Sequence, residues 1–285
     1  EPWFTAEPNQ TMTYLRSRSS YFWDEVVKES QLRLPRESEI KSEDTHFKII
    51  VPVYNSEKWI LNTIKSIKDQ KYSNYECIIA DDMSTDLTVH ILKSRTPDKF
   101  VIHENQEKKY ALKNIYDSIQ KLDPSKEDVI IVLDGDDWLS NENVLSKLNE
   151  HYVNSKCMLT YGSFVQFPDG NIGQESSEYS KEVVESNLFR QDLWRASHLR
   201  TFKYSLWDKV REEDLIDENG KFYETSYDQA MMLPMLEMAG NRSKYIPEIL
   251  CVYNIVNPNA VNKTRVEKQH KTMLKIRSQP PYGTI

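Results

Sequence analysis

Apolar residues recur along this chain with two different spacings. Short, mostly apolar runs at 47–53, 75–80, 100–102 and 129–133 read as strands, the unbroken 129–133 as one buried on both faces, as at the centre of a parallel sheet. Between them the apolar positions return at helical intervals. Ile60, Ile64 and Ile67 fall at i, i+4 and i+7, with Lys58, Lys65 and Lys68 directed elsewhere. Val89, Ile91 and Leu92 mark a second helix, and 111–122 a third. Asn55 or Ser56 is placed to cap the first helix, and Ser84 or Asp86 the second. Strands alternating with helices predict an α/β fold with a parallel, doubly wound sheet.

The first, second and fourth strands each run into polar residues: Asn55, then Asp81-Asp82, then Asp134-Gly135-Asp136-Asp137. In a parallel sheet those ends share one edge, where such folds bind ligands. Helix caps account for Asn55 and Asp86, but not for the doubled Asp81-Asp82 or the Asp134 cluster. Clustered carboxylates repel one another unless a cation compensates them. A divalent ion holding a phosphate is the natural partner. The spacing is not that of an EF-hand, because Trp138 and Leu139 stand where a ligand and the turn glycine belong.

Outside this core, residues 1–46 read as an N-terminal helical extension and polar linker, lying on the main domain or ending a preceding one. Residues 256–285 read as a tail whose basic stretch, 263–277, is a helix that closes over a phosphate or lies on the surface. Turn 214–220 reads as exposed and acidic, and 280–282 as extended. The net charge of −7 argues against a general nucleic-acid or anionic-membrane binder. Cys77, Cys157 and Cys251 are far apart and fit buried core thiols, hence a reducing compartment and an expected cytoplasmic location. The sequons at Asn9, Asn241 and Asn262 carry no weight without a signal peptide, and no apolar run approaches a membrane span. Neither a GxGxxG nor a Walker A motif is present, so phosphate must be held in another way.

Ile49-Ile50-Val51-Pro52-Val53-Tyr54-Asn55, Asp81-Asp82-Met83-Ser84-Thr85-Asp86 and Leu133-Asp134-Gly135-Asp136-Asp137-Trp138, in this order, resemble the inverting GT-A glycosyltransferases of the family 2 type. The resemblance spans 47–253. It implies a Rossmann-like, mostly parallel central sheet flanked by helices in a domain over 47–255, with a nucleotide-sugar half at 47–140 and an acceptor half at 141–255. It also implies a nucleotide-sugar donor such as a UDP-sugar, Mn²⁺ or Mg²⁺, and a glycan or glycoconjugate acceptor, with further domains possible in a longer chain. Pro52, Tyr54, Asn55 and Glu57 would line the nucleoside pocket and Asp82 would accept a hydrogen bond from the base. Lys113-Asn114 replace the family's Arg-Asn, and Lys109-Tyr110-Ala111 stand where it carries a glycine. Asp134 and Gly135 would face the ribose or metal shell, and Asp136 would bind the metal.

The resemblance puts the catalytic base at Asp228, with Tyr227 in place of the usual preceding Glu and Thr225 or Ser226 as helix cap. His198, Arg200 and Trp138 are candidates for an acceptor or diphosphate wall. The family often adds a late histidine as a metal ligand; here Asn257 or Asn259, or water, would substitute. A sugar-1-phosphate nucleotidyltransferase would need a Gly-rich, basic loop after the first strand, where this chain has Tyr54-Asn55-Ser56-Glu57. A related domain that only binds a glycan or partner would have lost carboxylates that are intact here.

Overall fold

A computed structural model describes residues 44–258 and 265–285. The expected N-terminal helical extension and Asn259 lie outside the described residues. The chain opens with β1 (Phe47–Val53), α1 (Ile60–Lys68), β2 (Tyr75–Asp81), α2 (Thr88–Arg95), β3 (Phe100–Glu104), α3 (Tyr110–Leu122) and β4 (Val129–Val132). It continues through β5 (Trp138–Leu139), α4 (Val144–Ser155), β6 (Leu159–Phe167), α5 (Lys181–Glu185), β7 (Arg200–Lys203) and α6 (Tyr204–Trp207). Last come α7 (Tyr227–Ala239), β8 (Ser243–Asn254) and α8 (Val266–Arg277).

The strands form one sheet in the order β3-β2-β1-β4-β7-β6-β8-β5. The first four are parallel, as expected; β7 enters antiparallel beside β4, and β6 and β8 run parallel to each other. Successive side chains leave opposite faces of a strand, so each unbroken apolar run feeds two cores. Ile49, Val51, Cys77, Ile79 and Ile131 pack with Ile60, Ile64 and Ile67 of α1 on one face. Ile50, Ile78, Ile130 and Val132 pack on the other with Leu112, Ile115 and Ile119 of α3 and with α7. Alternation is invisible in these strands because both faces are covered. Helix α7 is buried along nearly its whole length, including Pro234, as befits a helix enclosed on all sides.

Several expected details differ. Neither Asn55 nor Ser56 caps α1, which begins only after Trp59. Asn55 instead sits at φ 48° and accepts a 2.7 Å bond from Thr85 N, tying the β1 loop to the β2 loop. Asp86 does serve α2, accepting from Thr88 N at 3.0 Å. Neither Thr225 nor Ser226 caps α7; Ser226, at φ 52°, donates its hydroxyl to the Gln269 carbonyl of α8. Asp214 is buried rather than exposed, held by Arg211 and the Tyr282 hydroxyl. The basic helix α8 packs on the molecule, with Arg277 donating to Gln229 and to the carbonyls of Arg190 and Asp192. Cys77, Cys157 and Cys251 are free and buried. Among the described residues no helix is long and apolar enough to cross a membrane.

Candidate active site

The ends of β1, β2 and β4 open into a cavity of about 450 Å³, within the usual range for small-ligand sites. Pro52, Tyr54, Asp82, Asn114, Asp134, Gly135, Asp136, His198, Arg200 and Asp228 all line it. Asn55, Glu57, Lys113 and Trp138 do not. Glu57 accepts from Leu87 N at 2.9 Å and, with Asn55, braces the two loops. Lys113 lies on the far side of α3, paired with Asp117 and placed over the Tyr116 and Phe222 rings. Trp138 stacks edge-on against Phe167, 5.3 Å between centroids, in a satellite core with Val165, Ile249 and Val252. The sequence placed Lys113 by motif position; adjacent helix positions leave in different directions, which turns it away from Asn114.

At the β2 end of the cavity Asp82 is committed to its own chain. It accepts from the backbone N–H groups of Lys109 (2.7 Å) and Tyr110 (3.0 Å), from Asn105 Nδ2 (3.0 Å), and it pairs with Lys108 at 3.3 Å. Burial pushes this carboxyl up, but the Lys109 N–H, Asn114, Lys108 and Asn105 outweigh it and hold it below the usual range. The carboxylate thus satisfies donors at the start of α3 that no helix can satisfy internally. Tyr110 takes φ 63° there, a costly conformation for a bulky residue. Asn114 accepts from Asn105 at 2.6 Å and its amide also acts on the Asp82 carboxylate, so these three side chains brace one another. Gly135 permits the close approach of β4 to β1: a Cβ there would lie 2.6 Å from Val53 Cβ and 3.0 Å from the Pro52 carbonyl.

At the other end, Asp134, Asp137 and His198 bring ligand atoms within 4.8 Å of one another. Asp137 Oδ1 accepts from Asn254 N at 2.8 Å, but its buried Oδ2 has no hydrogen-bond partner. Burial and the neighbouring Asp136 and Asp134 carboxylates push Asp137 well above the usual range. Burial, then Arg200, holds His198 well below its ordinary value, so the imidazole is neutral and able to ligate. An orphaned carboxylate oxygen beside a neutral histidine fits a divalent cation. Asp136 stands outside this trio, accepting from Asn257 Nδ2 at 2.6 Å.

Arg200 is 2% exposed and lies between these carboxylates and Asp228. Its Nη2 donates to Asp134 Oδ2 at 3.2 Å and to the Tyr227 hydroxyl at 3.1 Å, and that hydroxyl donates to Asp134 Oδ1. Asp228, in the first turn of α7, is half-buried; burial raises its carboxyl, against the pull of Arg200. Lys108, Arg265 and Gln269 also line the cavity and were not singled out from the sequence. Arg265 lies over the Tyr110 ring and bonds Glu224 at 2.6 Å. In the sequence it reads only as part of a basic tail, because nothing local shows that α8 returns to the site.

The sequence profile described as Glycosyl transferase family 2 matches residues 48–210. The chain is 25% identical over 220 residues to the GalNAc(5)-diNAcBac-PP-undecaprenol beta-1,3-glucosyltransferase of Campylobacter jejuni, covering 75% of this chain and 66% of that protein. It is 32% identical over 121 residues to an uncharacterized glycosyltransferase of Haemophilus influenzae, covering 41% and 46%. The chain therefore spans between about half and two thirds of these relatives' lengths. In fold it resembles S. aureus TarS 1-349 in complex with UDP-GlcNAc, with a TM-score of 0.60 at 16% identity over 81% of this chain and 65% of that one. It also resembles the mannosyltransferase PcManGT from Pyrobaculum calidifontis in complex with GDP-Man and Mn²⁺, with a TM-score of 0.55 at 16% identity over 95% and 76%. With a strand-end cavity where the three motifs meet and a profile match over more than half its length, the chain belongs to glycosyl transferase family 2.

Proposed function

We propose that this protein transfers a sugar, with inversion, from a nucleoside-diphosphate donor, a UDP-sugar foremost, to a hydroxyl of a glycan or glycoconjugate. The observation that carries the reading is one cavity with two separate carboxylate sites. Asp134 and Asp136 line it at the β4 edge, with Asp137 buried behind them, and a separate half-buried Asp228 stands on the facing helix. The nucleoside lies along Pro52 and Tyr54, beside Asp82 and Asn114, with the diphosphate toward the β4 carboxylates. Mn²⁺ or Mg²⁺ would be held by Asp134 and Asp136, with Asp137 and His198 beside them, and would supply Lewis-acid charge to the leaving diphosphate.

Asp228 takes the proton from the acceptor hydroxyl as that oxygen bonds the anomeric carbon and the bond to the phosphate oxygen breaks. Attack from the face opposite the leaving group inverts the configuration. Burial raises the Asp228 carboxyl, which makes its ionised form a stronger base. Supporting the donor assignment, TarS and PcManGT share this fold and were each solved with a nucleoside-diphosphate sugar.

The test is turnover. A panel of nucleoside-diphosphate sugars with Mn²⁺ is assayed for release of the nucleoside diphosphate, with the anomeric configuration of the product read by NMR. One donor is expected to turn over with inversion. A retained anomer overturns the Asp228 mechanism, and no turnover with no nucleotide binding overturns the transferase reading.

A further inference from the structure

Three elements meet at Asp134. It follows β4; Arg200, the first residue of β7, sits opposite Val132 in the antiparallel register; Tyr227 is the first residue of α7. One nitrogen of Arg200 bonds both Asp134 and the Tyr227 hydroxyl, while that hydroxyl bonds the second Asp134 oxygen. The three side chains form a closed ring of hydrogen bonds, with the guanidinium 2% exposed. Asp228 is the residue after Tyr227. Two different oxygens of Asp134 are engaged, so the carboxylate plane is fixed. The cost of burying Arg200 is offset only while its partners stay in place.

We propose that Arg200 and Tyr227 are positioning residues that couple the β4 carboxylates to the base, holding Asp134 in one orientation and α7, with Asp228, in register against it. The proposal rests on the transferase reading and deepens it. Neither residue takes a proton from the acceptor. Their contribution is that the β4 carboxylates and the base cannot shift independently. A ring that acts as a unit also predicts that its members lose their effect together rather than additively.

Tyr227→Phe is the decisive variant, because it keeps the ring packed on its neighbours and deletes only the hydroxyl. The full chain is compared with Tyr227→Phe, Arg200→Gln, Arg200→Lys and the Tyr227→Phe/Arg200→Gln double variant. UDP binding with Mn²⁺ is followed by calorimetry, and kcat and KM by transfer. Tyr227→Phe is expected to stay folded with a lowered melting temperature and to keep its UDP affinity and its donor KM, while kcat falls about 10²-fold, the loss that misalignment of about an ångström brings. The double variant should be no slower than Arg200→Gln alone. Arg200→Lys, whose ammonium can still serve both oxygens, should recover part of the Arg200→Gln loss. An unchanged kcat in Tyr227→Phe overturns the coupling, as do losses that multiply in the double variant. If the unaltered chain binds no UDP with Mn²⁺, the transferase reading itself fails, and the coupling with it.

Discussion

The two ends of the cavity hold their charges in different ways. At the β2 end, Asp82 is satisfied mostly by the backbone at the start of α3 and by Asn105. Its geometry is therefore built into the fold. At the β4 end, Asp134 is held by the side chains of Arg200 and Tyr227, while Asp137 takes one backbone bond, from Asn254, and its other oxygen, 3.9 Å from His198, has no hydrogen-bond partner. The first arrangement suits a preformed wall, while the second leaves electrostatic demand for a ligand to meet. A carboxylate at a strand end is thus no mark of a binding role by itself; what else already bonds it decides.

The largest effect separating the ends should come from Asp228→Asn. Transfer is expected to fall about 10²- to 10⁴-fold, the usual contribution of a general base, with donor binding kept. In the unaltered enzyme the acid limb of kcat/KM should lie above the ordinary carboxylate range, because burial raises Asp228 and the base works only when ionised. The sign for stability follows from the same shift. A carboxyl raised on folding weakens the native state as pH rises through the window between its unfolded and folded values. The melting temperature of Asp228→Asn should therefore gain on the unaltered chain as pH is raised through that window.

Next in size is a stability effect confined to the second half. Arg190 and Glu237 form a fully buried bidentate pair, at 2.6 and 3.0 Å, and Tyr282 N also donates to Glu237 at 2.9 Å. This clamp fastens the segment after α8 to α7. Glu237→Ala should cost about 3–5 kcal/mol, the penalty of leaving a buried charge unpaired, measured by denaturant unfolding. A small loss would mean that the second half does not depend on paired side-chain charge.

Gly135→Ala probes the seam between the ends. Its Cβ would meet Val53 and the Pro52 carbonyl, so β4 must move from β1 at about 1–3 kcal/mol, as overpacking typically costs. Nucleotide binding should weaken with it. The smallest effect is expected from Lys113→Ala, within about 0.5 kcal/mol as for ordinary surface changes, with UDP affinity unaltered because Lys113 lies outside the cavity. Loss of affinity there would return the residue to the donor site.

The regular half of the fold was legible because its signals are local. Unbroken β-branched runs gave the parallel strands, and Ile60, Ile64 and Ile67 all proved buried against them. The convergence of Asp82, Asp134 and Asp136 on one cavity followed from strand direction alone. What the sequence obscured depends on rotation or on return of the chain. Lys113 and Asn114 are neighbours in sequence but leave α3 on different sides. Trp138 follows the carboxylates, yet β5 pairs with β8 and directs it into a satellite core. Arg200 stood out only for its neighbours; nothing in the sequence linked it to Asp134, 66 residues away. Arg265 and Gln269 reach the cavity only because α8 folds back across the mouth.

The central claim is that this cavity takes a nucleoside diphosphate together with a divalent cation. The most direct measurement is thermal unfolding of the full chain with UDP, GDP and dTDP, each with and without Mn²⁺, beside Asp136→Ala. A ligand at a hundred times its dissociation constant stabilises by about 2.7 kcal/mol, readily seen as a shift in melting temperature. The expected result is a Mn²⁺-dependent shift for one nucleotide that Asp136→Ala abolishes. No shift with any nucleotide, or a full shift retained in Asp136→Ala, would contradict the account.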